Sequence, residues 1–240
     1  TYEMNRSSVA LILIALPLAL ITTAWAARRL PRLTAIPVAA VLALFAYLVT
    51  HPYSKDPTLN KNLLELTSID VGQGDGLFLA TPNGHLALLD AGGNRSTKFD
   101  TGESTVSPYL WSRHISKLNT LIASHGDLDH MGGLLAAHDN FRPNEIWVSA
   151  QVSGPLWEQL KAKAQAKNTT IRYLAKGDRL KLGDLNVQTL WPPSDEQIDK
   201  SNLTSLVLLL HYGNQRFLLT GDIDQSIEAP PLAHPNLPHL

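Results

Sequence analysis

The sequence predicts an α/β fold of four layers, αββα, with two mixed sheets face to face and helices outside. Three observations carry this prediction. Short apolar runs separated by tight turns over 63–89 read as a strand meander, which supplies one sheet. Similar runs over 171–220 repeat the pattern. Between them the strand-like run Leu121-Ile122-Ala123 passes into the helix-like run Leu134-Leu135-Ala136-Ala137 through a corner dense in polar residues.

Taken in order, residues 1–50 differ from the rest. The runs 9–27 and 33–50 are nearly all apolar, and each is close to the ~20 residues that cross a ~30 Å hydrocarbon layer as helix. A signal peptide, with Arg6 before an apolar stretch and Ala24-Trp25-Ala26 as its cleavage site, is the rival reading. The second apolar run argues against it. A buried helical hairpin of a soluble core is a third reading. Two membrane spans are the expectation. Arg28, Arg29 and Arg32 lie between them, and short Arg-rich loops favour the cytoplasmic side. Everything after Thr50 is then expected to face away from the cytoplasm. Pro17 and Pro37 fall inside the spans, which is tolerable where neighbouring helices re-satisfy the backbone. This implies further membrane helices of the same polypeptide, in contact with lipid. The chain starts at Thr1 and stops in a Pro-rich stretch, so both ends read as cut.

Residues 51–62 are polar with two prolines, a linker, and 63–240 form the domain. Strands are expected at 63–69, 77–80 and 85–89, with Pro82-Asn83-Gly84 as a hairpin turn. A polar loop at 94–103 is expected over the site, then a helix at 106–115 entered through Pro108, with His114 on its exposed or half-buried face and without a ligand role. A helix at 134–139 places His138 at the surface. A strand at 145–149 and an amphipathic helix at 156–167 follow, with Trp157 and Leu160 inward and Lys161, Lys163 and Lys167 outward. Runs at 171–174, 178–182 and 185–191 are expected to form a second meander. Runs at 205–212 and 216–220 are expected to form a hairpin around Gly213-Asn214.

Residues 1–50 hold four of the 20 basic and one of the 21 acidic residues, so the remainder carries a net charge of −4 with His neutral. No broad basic groove for duplex DNA is evident. There is no cysteine, which excludes disulfides and thiolate-metal sites.

The chemistry concentrates in Ser124-His125-Gly126-Asp127-Leu128-Asp129-His130-Met131-Gly132-Gly133. Imidazole nitrogen and carboxylate oxygen are donors for divalent cations, and strand-to-helix corners are where open α/β folds place ligands. A polar loop in which Asp127 or Asp129 caps the following helix is the plainer alternative. Four ligand-type residues in six positions argue against it as the whole explanation. Asp70, Asp90 and Asp222 also follow strand-like runs, so strands sharing a direction would bring them towards His125. Support of the loops is the expected role of Asp90. Asp75 reads equally as a turn former or as a group standing behind the ligands.

His-x-Asp-x-Asp-His-x-Gly-Gly resembles the His-x-His-x-Asp-His signature of the metallo-β-lactamase fold, with Asp127 where the second His usually stands. Together with Asp70-Val71-Gly72-Gln73-Gly74-Asp75 and Leu218-Leu219-Thr220-Gly221-Asp222, it is similar to the carboxy-terminal domain of ComEC-type DNA-internalisation (competence) proteins, over roughly 64–228. The resemblance implies a metallo-β-lactamase-like sandwich, incomplete at its carboxyl end. It implies one or two divalent cations (manganese, zinc or magnesium) held by His125, Asp127, Asp129, His130 and Asp222. Asp129 would orient or deprotonate a water, with Asp70, Asp75, Asp90, Asn202 and Ser205 in support. The segment Asn202-Leu203-Thr204-Ser205 lies where related enzymes put a third His and has none. The implied function is a nuclease-type phosphodiester hydrolase attached to a membrane channel that imports single-stranded DNA, working with other DNA-uptake proteins at the bacterial inner membrane. An inactive metal- or DNA-binding module of that channel is the alternative. A hydrolase of small esters or thioesters is the third.

Overall fold

The computed structural model describes residues 59–60, 62–94, 100–195, 198 and 202–223, and the architecture is given for these. The spans expected at 9–27 and 33–50 lie outside them. Among the described residues no helix is long and apolar enough to cross a membrane.

The first sheet holds β1 (Glu65–Ser68), β2 (Leu77–Ala80), β3 (Leu86–Leu89), β4 (Thr120–Ala123), β5 (Glu145–Ser149) and β6 (Thr170–Leu174), side by side in that order. β1 to β3 form the expected antiparallel meander, and β3 to β6 run parallel. Two antiparallel steps restore direction, so β1, β3, β4, β5 and β6 all end at one edge. The second sheet is antiparallel throughout, in the order β10 (Gln215–Leu219), β9 (Val207–Tyr212), β8 (Leu185–Trp191), β7 (Arg179–Leu182).

Alternation along the strands divides the interior into two layers. Phe78, Leu88, Leu121, Ile146 and Val148 face the helices, among them Leu110, Met131, Leu134, Phe141 and Leu160. Leu79, Ala87, Leu89, Ile122 and Trp147 face Leu185, Val187, Leu208 and Leu210 of the second sheet. Both faces of the first sheet are thus covered. This is why β3 and β4, buried at every position, read as unbroken apolar runs rather than alternating ones. The helices are α1 (Ser107–Ser112), continuing a π-helical turn over Gly102–Val106, then α2 (Leu128–Met131), α3 (Leu134–Phe141) and α4 (Pro155–Ala166).

Three expectations are corrected. The run at 171–174 does not join the second sheet. It pairs in parallel with β5, because α4 carries the chain back to the same edge and makes β5-α4-β6 a crossover unit. The helix expected at 106–115 starts earlier, with the turn at Gly102, and ends at Ser112. Gly102 makes this possible: a Cβ there would stand 2.2 Å from the Gly133 carbonyl oxygen. His138 is fully buried. Its Nε2 lies 3.0 Å from Thr169 Oγ1, where the chain leaving α4 passes over α3. Burial, followed by the Lys167 charge, pushes its pKa down. His114 is exposed as expected.

Candidate metal centre

The centre is assembled behind the ends of β3 and β4. Asp90 directly follows β3 and has φ 52°, a left-handed conformation that Asp tolerates better than most residues. Its carboxylate is fully buried and faces the β4 corner. Oδ1 accepts the Ser124 N–H at 2.8 Å, and Oδ2 accepts the Ser124 hydroxyl at 2.6 Å. Oδ2 also accepts His130 Nδ1–H at 2.9 Å. Ser124 Oγ lies 2.9 Å from His125 Nδ1. A serine has one proton, and here Asp90 takes it, so Oγ accepts from His125 Nδ1–H. In neutral His125 that fixes the tautomer and leaves the Nε2 lone pair facing forward. This backing of each imidazole Nδ1 is the arrangement usual for metal-ligating histidines.

The second sheet delivers Asp222. The Leu206 N–H donates to the Ser124 carbonyl at 2.8 Å, tying the start of β9 to the corner. The Asp222 N–H donates to Ser205 Oγ at 3.2 Å. Asp222 Oδ2 then stands 3.3 Å from His130 Nε2. His125, His130 and Asp222 each present one donor atom, all within 4.8 Å of one another. The two imidazole centroids are 4.2 Å apart. His125 Nε2 is buried without a hydrogen-bond partner, and the nearest carboxylate oxygen recorded for it is Asp127 Oδ2 at 3.5 Å. Leaving such an atom unpaired costs about 1–3 kcal/mol, and a cation would take it up.

Charge divides the pair. Burial first, then the His130 charge, pushes the His125 pKa down, against Asp90, Asp127 and Asp222. Burial opposes protonation of His130 too. The hydrogen bond and charge of Asp90, with Asp222 and Asp75, outweigh it and raise the pKa to about 9.

The remaining candidates fall in distinct places. Asp127 stands at the N-cap of α2 but makes no side-chain capping bond. Asp129 is half-buried in the first turn of α2. Among the described residues, neither belongs to a close donor group, these being His125–His130–Asp222 and Asp75–Asp90–His130. Asp70 is exposed and accepts the Gly72 N–H at 3.2 Å. Asn202 is exposed at the start of a 3₁₀ turn, and its carbonyl accepts the Ser205 N–H. Ser205 is buried and holds the Asp222 backbone. Ser124, which links Asp90 to His125, is absent from the candidates drawn from the sequence. Its position directly before the first His of the corner was the available signal.

The description Metallo-beta-lactamase superfamily matches residues 69–237. ComE operon protein 3 of Bacillus subtilis (strain 168) is 32% identical over 177 residues, covering 68% of this chain and 23% of that protein. This match bears out the resemblance to ComEC-type proteins. The uncharacterized protein YcaI of Escherichia coli (strain K12) is 31% identical over 166 residues, covering 68% of this chain and 19% of that protein. The chain therefore spans about a quarter or less of the curated relatives it matches. Among solved structures, a metallo-β-lactamase of Cronobacter sakazakii aligns with a TM-score of 0.46 and 13% identity, over 67% of this chain and 61% of that one.

Proposed function

This chain belongs to the metallo-β-lactamase superfamily, and we propose that its domain at 63–240 is a divalent-metal-dependent phosphodiester hydrolase acting on single-stranded DNA. The observation that carries the metal reading is the buried, unpartnered His125 Nε2, directed at the donors of His130 and Asp222. His125, His130 and Asp222 would hold the cation, with Asp127 and Asp129 as the further carboxylates of the corner. When bound there, a cation would supply Lewis-acid chemistry and lower the pKa of water from ~15.7 towards ~7. Asp90 and Ser124 hold both imidazoles with Nε2 forward. Asp129, in the first turn of α2, would orient the attacking water or accept its proton. Asp127, an oxygen donor where the family usually has nitrogen, favours manganese or magnesium over zinc.

The DNA substrate rests on the resemblance to ComEC-type DNA-internalisation proteins, a family that the likeness to ComE operon protein 3 supports. With it goes the rest of the proposal: two membrane spans in 1–50, a linker at 51–62, a domain on the outer side of a bacterial inner membrane, and a channel shared with other DNA-uptake proteins. A second reading, a metal- or DNA-binding module without catalysis, is favoured by Asn202 and Ser205, which stand where related enzymes have a third His.

The test is cleavage of labelled single-stranded DNA by the full chain with manganese. We expect cleavage that a chelator abolishes and that Asp129→Ala lowers by about 10²–10⁴-fold, the usual weight of a general base. Undiminished cleavage in Asp129→Ala would contradict the mechanism. Tight metal binding without cleavage would favour the second reading.

A further inference from the structure

The loop at 70–76 is held against the centre from two sides. Gly72 and Gly74 have φ of 81° and 85°. A Cβ on Gly74 would stand 1.6 Å from the Asp129 carbonyl oxygen, so the loop lies directly on the backbone of α2. On its other side the Asp75 carbonyl accepts the Gly92 N–H at 2.7 Å, just past Asp90. So pinned, exposed Asp75 brings a carboxylate oxygen within 4.8 Å of donor atoms of Asp90 and His130. This second group is not a second cation site. Asp90 Oδ1 is taken by the Ser124 N–H, and Oδ2 by the Ser124 hydroxyl and His130. What remains is an arrangement of negative charge about one imidazole.

We propose that Asp75 is a positioning residue of the metal centre, whose charge beside His130 strengthens cation binding at His125, His130 and Asp222 without touching the ion. The inference rests on reading those three as the metal site. The partner hydrogen-bonded to the ring is Asp90, the kind whose loss typically weakens metal binding by 10–100-fold. Asp75 acts through space, its charge within 4.8 Å of a His130 donor atom offsetting part of the cation's charge, so its weight falls at the lower end of that range. The competing role for Asp75 is structural, through its backbone carbonyl to Gly92. Asp75→Asn separates the two, because it keeps the backbone bond and the side-chain shape and removes only the charge.

The experiment is calorimetric titration of manganese into the full chain and into its Asp75→Asn and Asp75→Glu variants, at low salt and in high salt. Expected are an affinity about tenfold weaker in Asp75→Asn, recovery in Asp75→Glu, and a gap that narrows in high salt as the charge is screened. Without metal, Asp75→Asn should lower the unfolding midpoint only slightly, by the charge lost beside His130, and Asp75→Glu should restore it. Equal affinity in wild type and Asp75→Asn would overturn the inference alone. A wild-type chain that binds no manganese would overturn the metal-site reading, and this inference with it.

Discussion

The two ends of strands β3, β4 and β5 carry polar networks built from similar parts, and they finish differently. At the amino ends, His85 Nε2 lies 2.9 Å from Thr120 Oγ1, and Thr120 Oγ1 lies 3.4 Å from Glu145 Oε1. Arg172 Nε then donates to Glu145 Oε2 at 2.6 Å. That chain crosses the sheet and ends in a guanidinium whose side chain is 52% exposed, open to solvent. At the carboxyl ends, Asp90, Ser124, His125 and His130 form an equally connected set. It ends at a buried nitrogen with no partner, beside two further donors. The residue types do not separate a structural network from a metal site. The termination does. His138 sharpens the point: its Nδ1 is also buried without a hydrogen bond, with Asp139 Oδ1 3.9 Å away, but among the described residues no group of three donors includes it.

The largest effect expected from breaking this contrast is at His130. His130→Ala should abolish measurable manganese binding, a loss beyond the 10–100-fold of an outer partner. It should also cost about 3–5 kcal/mol of stability, because the buried Asp90 carboxylate loses an ionic partner. Calorimetry and denaturant unfolding measure the two. A fall in affinity of under about tenfold, the outer-partner range, would place the cation elsewhere.

At the opposite edge, Thr120→Val removes the hydroxyl shared by His85 and Glu145. It should cost about 1–3 kcal/mol in unfolding free energy and leave manganese affinity unchanged. An altered affinity would mean that the two networks are coupled through β4.

Smaller still is the dependence on pH. The folded pKa of His130, about 9, lies above its ordinary 6.5. In chelator its contribution to stability is therefore complete below about pH 6.5 and is lost as pH rises through about 9. His85 behaves oppositely: burial lowers its pKa, against Glu145, so its contribution is present above pH 6.5 and lost as pH falls through its lowered folded value. A cation must displace the His130 proton, so manganese affinity should rise across pH 6.5–9 with release of a proton. Unfolding midpoints in chelator and titrations at several pH values check both; an affinity flat across that window would contradict the geometry at Asp90.

Much of this was legible because the relevant signals are local. The apolar runs at 63–89 and 205–220 carry their turns between them, and they fold as the meander and the hairpin. The meeting of His125, His130 and Asp222 was legible because His125 and Asp222 follow strand-like runs and His130 shares the corner motif with His125. β6 pairs in parallel with β5 and not with the second sheet, and strand, helix and strand over 145–174 is the pattern of a parallel crossover. Adjacency to the antiparallel strands after it was the misleading cue. The burial of His138 depends on Thr169 and α4, a non-local packing that the pattern of α3 does not encode. The role of Ser124 depends on where its single proton goes, and only the position of Asp90 decides that.

The most direct measurement is anomalous X-ray scattering from crystals of the chain soaked in manganese. The account predicts one ion at coordination distance from His125 Nε2, His130 Nε2 and an Asp222 carboxylate oxygen. A peak away from these atoms, or none at full soaking, would contradict it.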